Sequence, residues 1–151
     1  MMMDMRHHSS VEDQTNVKTI LIVEDDEAMG SILVLTLLTE SPYQARLVTD
    51  GYQALKVVHD LKPSLFLLDY KLPGMDGIAL YDRLHAIPDL AGIPTIIISA
   101  TLPRRALQER HLTGVTKPYD LDQLLHTIDR LLAQRSKVDT SPKPTSSSTT
   151  R

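Results

Sequence analysis

The sequence predicts an α/β fold, a doubly wound sheet of five parallel strands joined by crossover helices. Three observations carry that expectation. Five short apolar runs, near residues 18–24, 44–48, 64–69, 94–99 and 113–116, alternate with stretches of helical periodicity. Three of the runs are continuously apolar (Ile20 to Val23, Leu65 to Leu68, Ile96 to Ile98), as in strands buried on both faces. Chemically loaded residues stand at the run ends: Glu24, Asp25 and Asp26 after the first, Asp69 after the third, Ser99 after the fourth and Lys117 after the fifth. Ligands of open α/β sheets sit beyond the carboxyl ends of the strands, so these side chains are expected along one edge.

The helices follow in order. Asp26 is a good N-cap for a first helix whose Met29, Ile32, Leu33 and Leu37 recur at helical spacing. Gly51 opens a second helix carrying Ala54, Leu55 and Val58. Gly77 opens a third, with Leu80 and Leu84 inward. A last helix is expected from Asp120 to about Gln134, its stripe formed by Leu121, Leu124, Leu125, Ile128, Leu131 and Leu132. Residues 1–16 read as a disordered polar leader and 17–135 as the one folded domain. Residues 136–151 read as a disordered tail, because Ser, Thr, Pro and Lys bury too little surface to order themselves.

Composition narrows the function classes. The 151 residues suffice for one ordinary core, with 42% hydrophobic and 23% charged residues. A net charge of -3 gives no basic excess for nucleic acid. With no cysteine, disulfides and thiolate metal sites are excluded. No stretch has the length of a bilayer span, and the first six residues lack a signal-peptide core, so a cytoplasmic location is expected.

Glu24, Asp25 and Asp69 on one spot would repel one another unless a cation neutralised them, which predicts a divalent-metal pocket. After Asp69, Pro73, Gly74 and Gly77 force a turn, so its carboxylate is expected to be presented and not buried. A single strand-end Asp usually caps a turn. Ser99 and Lys117 on the same edge turn the odds, since carboxylates, a hydroxyl and an ammonium suit metal-assisted phosphoryl transfer onto a carboxylate. Arg104, Arg105, Arg110 and His111 have the chemistry to meet an acidic partner, but a solvated helix face is the simpler reading. His59, His85, His111 and His126 lack ligand spacing and read as surface or packing residues.

Four motifs in order, Ile22-Val23-Glu24-Asp25-Asp26, Leu67-Leu68-Asp69 through Pro73-Gly74-Met75-Asp76-Gly77, Ser99-Ala100 and Lys117-Pro118-Tyr119, resemble the receiver domain of a two-component response regulator. The likeness covers roughly residues 17–135. It implies the flavodoxin-like (βα)5 receiver fold and bacterial phosphorelay signalling. In that family, Asp69 matches the aspartate that accepts a phosphoryl group from a histidine kinase or histidine phosphotransfer protein. Glu24 and Asp25 match the acidic pair that holds Mg²⁺ (or Mn²⁺), joined by Asp69 and the backbone carbonyl of Lys71. Ser99 matches the switch hydroxyl and Lys117 the phosphate-pairing lysine, with a cis bond expected before Pro118. Asp26 is better read as a helix cap. Lys71 and Thr101 stand where relatives vary and tune hydrolysis.

The sequence departs from the family at Gly114, where an aromatic switch residue is usual. The stretch from Ser99 to Lys117 is short by about one turn, roughly 3.6 residues, and Pro103 falls in it, so the fourth helix is expected to be shortened or rearranged. The usual coupling through an aromatic side chain is therefore not expected. Output is expected through protein contacts or onward phosphotransfer, with a downstream protein or a homodimer as partner and no membrane or nucleic acid. Two alternatives remain open: a receiver-shaped interaction module independent of phosphorylation, and a small phosphatase with Asp69 as nucleophile. The phosphatase wants a second Asp where Lys71 stands. An FMN site is disfavoured because Glu24, Asp25 and Asp26 repel phosphate.

Overall fold

The computed structural model describes residues 17–140. The expected leader and residues 141–151 of the expected tail lie outside them. The strands are β1 (Thr19–Val23), β2 (Gln44–Val48), β3 (Leu65–Asp69), β4 (Thr95–Ser99) and β5 (Thr113–Thr116). The helices are α1 (Glu27–Glu40), α2 (Gly51–Val57), α3 (Gly77–His85), α4 (Arg104–Arg110) and α5 (Leu121–Thr140), with a 3-10 turn at Pro88–Leu90. Each strand lies within one residue of its expected run. Among the described residues, no helix is long and apolar enough to cross a membrane.

All strand pairs are parallel, in the order β2-β1-β3-β4-β5. The chain winds one way from β1 to β2 and the other way from β1 to β3. A crevice therefore opens beyond the tips of β1 and β3, where such sheets hold ligands. Successive residues of the central strands feed opposite cores. Ile20, Ile22, Leu65, Leu67, Ile96 and Ile98 pack with Leu33 and Leu37 of α1 and Leu124, Ile128 and Leu132 of α5. Leu21, Val23, Phe66, Leu68 and Ile97 pack with Ala54 of α2, Leu80 and Leu84 of α3 and Leu107 of α4. Side-chain alternation in a strand produces this two-sided core.

Aspartates start the helices. Asp26, Asp50 and Asp76 accept hydrogen bonds from the backbone N–H groups of Met29, Gln53 and Ala79. Asp120 accepts from Asp122 and Gln123 and caps α5, which begins one residue later than expected. Each such cap is worth about 1 kcal/mol. The fourth helix is reduced to seven residues, begins at Pro103 without a side-chain cap, and ends at His111 in the left-handed conformation.

Two expectations about the helices need correction. Ile32 does not face the core; it is 49% exposed, and Gly30 faces inward beside the expected Leu33 and Leu37. A Cβ at Gly30 would stand 2.7 Å from a Leu47 methyl, so the close approach of α1 to β2 at that glycine sets the helix rotation. The last helix also runs to Thr140, past the expected end near Gln134, and takes in residues 136–140 assigned to the tail. No helix breaker precedes Pro142, and proline disfavours helix in the residue before it.

Arg110 is not part of a solvated basic cluster. Its Nε and Nη2 donate to the two Asp82 oxygens, each at 2.8 Å, and tie α4 to α3. The guanidinium holds the Asp82 carboxyl below its ordinary range. A depressed folded-state pKa gives stability that is present above the unfolded value and lost as pH falls through the folded one. With Asp82 half exposed, the pair is worth about 0.5–1 kcal/mol. Arg110→Met should lower the unfolding free energy, read from the urea midpoint, by that amount at pH 7, and the gap should narrow as pH falls below the ordinary aspartate range; a gap that stays the same into acid contradicts this assignment.

Candidate functional site

The pocket is assembled from strand tips. Glu24 follows β1 directly, and its backbone N–H donates to Val48 across the sheet. The Glu24 carboxylate is 4% exposed and accepts from the Asp26 N–H at 3.1 Å. Asp69 ends β3, and Asp25 sits at the mouth, exposed. Carboxylate oxygens of Glu24, Asp25 and Asp69 lie within 4.8 Å of one another. Lys117 follows β5; its N–H donates to the Ser99 carbonyl, and the peptide bond to Pro118 is cis. Its Nζ lies 2.7 Å from Asp69 Oδ1 and 3.5 Å from Glu24 Oε1.

Asp69 is not presented as the turn residues led one to expect: it is 6% exposed, at the floor of the pocket. The turn does reach the surface at Lys71, Pro73 and Gly74, but the Asp69 carboxylate stays inside, with Lys117 Nζ 2.7 Å from it. The backbone behind it is sealed by Gly77, whose N–H donates to Tyr70 O at 2.7 Å. A Cβ at Gly77 would stand 2.5 Å from the Asp69 carbonyl oxygen, so only glycine fits there. Gly74 supplies the left-handed turn (φ 78°), with the Tyr52 ring against it.

Burial, then the charge of Asp25, pushes the Asp69 carboxyl up, against the pull of Lys117. Burial pushes Glu24 up as well, aided by Asp69 and opposed by the Asp26 N–H and Lys117. Burial works against the charge on Lys117, but its hydrogen bond to Asp69 and the two buried carboxylates outweigh it and hold its pKa above the ordinary value. Three carboxylates and one ammonium leave a formal charge of −2 in this corner, with oxygen as the only donor type among the anions. Such a set fits a hard divalent cation.

Ser99 is buried, and its hydroxyl is engaged within its own loop. It donates to the Thr101 carbonyl at 2.8 Å and accepts from the Thr101 N–H at 3.3 Å. Asp26 caps α1 as expected. Tyr119, which follows Lys117 and Pro118, is half-buried beside the pocket. Burial raises its hydroxyl pKa, and the charges of Glu24 and Asp69 push the same way. Its position after the strand-end Lys117-Pro118 pair was the available signal.

A model of the response regulator receiver domain family matches residues 20–129. Sporulation initiation phosphotransferase F of Bacillus subtilis (strain 168) is 35% identical over 121 residues, 78% of this chain and 95% of that protein. The signal receiver domain of a signal transduction histidine kinase from Syntrophus aciditrophicus superposes with a TM-score of 0.71 at 32% identity, over 85% of this chain and 98% of that one. A CheY-like response regulator receiver domain protein from Methanospirillum hungatei JF-1 gives a TM-score of 0.75 at 25% identity, over 81% and 98%. Fold, strand-tip chemistry and sequence likeness agree, and the chain belongs to the response regulator receiver domain family of two-component signalling.

Proposed function

We propose that Asp69 accepts a phosphoryl group from a phosphohistidine on a kinase or phosphotransfer protein and that the chain passes the signal on by protein contact or onward transfer. The observation that carries this reading is the buried Asp69 carboxylate held 2.7 Å from Lys117 beside Glu24 and Asp25. An Asp69 oxygen forms the bond to phosphorus as the donor's N–P bond breaks. The electron pair returns to the imidazole nitrogen, which takes a proton from solvent. Glu24, Asp25, Asp69 and the carbonyl of Lys71 would hold Mg²⁺ (or Mn²⁺). When bound, that cation neutralises charge on the transferring oxygens. Lys117 stays paired with oxygens of the acyl phosphate, and Ser99 turns its hydroxyl to the same group. Lys71 and Thr101 flank the site and govern how fast water hydrolyses the acyl phosphate, freeing the Asp69 carboxylate and releasing inorganic phosphate.

The likeness to a protein named a phosphotransferase, over 95% of that protein's length, supports the relay role. We read the chain as a phosphoacceptor switch acting in the cytoplasm, without turnover on free substrates. Incubation with phosphoramidate and Mg²⁺ should add the mass of one phosphoryl group to the wild type and none to Asp69→Asn. Equal gain in both, or gain in neither, sinks the proposal. Gain in neither favours the receiver-shaped module that works without phosphorylation, a reading motivated by Gly114.

A further inference from the structure

The middle of β5 carries no side chain where it faces α4, yet the space there is filled. A Cβ at Gly114 would lie 2.7 Å from Leu107 Cδ1 and 3.1 Å from both Leu102 methyl carbons. Two leucines from the β4–α4 segment therefore rest on bare backbone. Leu102 and Leu107 also wall an open hollow of about 370 Å³ on this face, with Arg104 and His111 at its rim.

Leu102 is one residue from the group that Ser99 holds. The backbone N–H and the backbone carbonyl of Thr101, which belong to the two peptides flanking that residue, are both bound to the single Ser99 hydroxyl. The backbone of Ser99 is anchored separately, by the Lys117 N–H on its carbonyl, so the hydroxyl can turn without moving the strand. The far end of α4 is fastened to α3 through Arg110 and Asp82, whereas its start has no side-chain cap. Residues 100–104 are thus the stretch left to respond, between two fixed points.

We propose that Leu102, seated with Leu107 over Gly114, carries the state of Asp69 to the α4–β5 face in place of a side chain at position 114. This rests on the acceptor reading above. When the Ser99 hydroxyl turns toward an oxygen of phosphorylated Asp69, Thr101 loses both hydrogen bonds at once. The two peptides flanking Thr101 are then free to follow, and Leu102 shifts beside Leu107 over the glycine, where no β5 side chain blocks it. The hollow that Leu102 and Leu107 wall changes shape with it. Leu102 is a positioning residue: it touches no reacting atom.

The test is the amide NMR spectrum of the full chain with Mg²⁺ and beryllofluoride, which mimics the bound phosphoryl group. In the wild type, signals of residues 69–71 and of residues 112–115 should both shift. In Leu102→Ala the first set should shift as in the wild type, while the second falls at least threefold; a purely structural role for Leu102 would not separate the two sets. Leu102→Val, which shortens the contact by one methylene, should about halve the second response and serves if the alanine variant does not fold. An undiminished response at 112–115 in these variants overturns the proposal. So does a wild-type response confined to 69–71, which leaves the acceptor reading standing. No response at either set overturns both.

Discussion

Lys117→Met lowers the stability of the cation-free protein by about 2–3 kcal/mol at pH 7, as read from the urea midpoint with a chelator present. The substitution keeps the apolar stem and removes only the charge. Glu24 and Asp69, 5% and 7% exposed at their side chains, then lose the ammonium that pairs with both of them. Breaking a fully buried pair costs about 3–5 kcal/mol, and the lower figure reflects the 28% exposure of Lys117. The sign with pH follows from the shifts. Lys117 has a raised folded-state pKa, so its contribution is whole below the ordinary lysine value and is lost only as pH rises through the folded one. The two carboxylates are also raised, which makes their charge a cost at neutral pH, relieved as they protonate. The deficit of Lys117→Met should therefore narrow as pH falls from 7 and the two raised carboxylates protonate, and Mg²⁺ should recover part of it at pH 7. A midpoint equal to the wild type at pH 7 without cation would contradict the pocket electrostatics.

Gly77→Ala costs about 3 kcal/mol, the upper end for overpacking, because the new methyl meets backbone. Its Cβ would stand 2.5 Å from the Asp69 carbonyl oxygen and 3.0 Å from Tyr70 Cα, and neither can swing aside as a side chain does. Relief requires moving the tip of β3 itself, so phosphorylation by phosphoramidate should slow in the same variant. Gly30→Ala is the control. Its Cβ meets only the Leu47 side chain, the two methyls at 2.7 and 2.8 Å and Cγ at 3.3 Å, which can rotate away, and alanine favours helix over glycine by up to about 1 kcal/mol. The loss there should stay below about 1.5 kcal/mol. A larger loss at Gly30 than at Gly77 would show that the β3–α3 turn is looser than its geometry indicates.

β1, β3 and β4 were legible because each is a short apolar run leading into a polar residue, and the site because those residues fall on one edge of a parallel sheet. Burial of Asp69 was not legible. Turn-forming residues report where the backbone goes, whereas the cover over this carboxylate comes from Lys117, distant in sequence. The rotation of α1 was hidden for a different reason. Ile32, Leu33, Val34, Leu35, Leu37 and Leu38 leave almost no polar face between Glu27 and Glu40, so periodicity alone does not choose the inward side. Leu35 and Leu38 end up 62% and 51% exposed. The Arg110–Asp82 pair joins residues 28 apart and has no sequence signature. Gly114 was visible as a departure, but not that Leu102 and Leu107 fill the space above it.

The account stands on the tips of β1 and β3 sharing one hard cation at the carboxylate that reacts. Titration of the full chain with Mg²⁺, followed through its backbone amide NMR signals, addresses this directly. Signals of residues 24–26 and 69–71 should move together along a single saturable curve, and Asp25→Asn should weaken that binding at least tenfold. Signals at both tips that stay in place through millimolar Mg²⁺ would contradict the account.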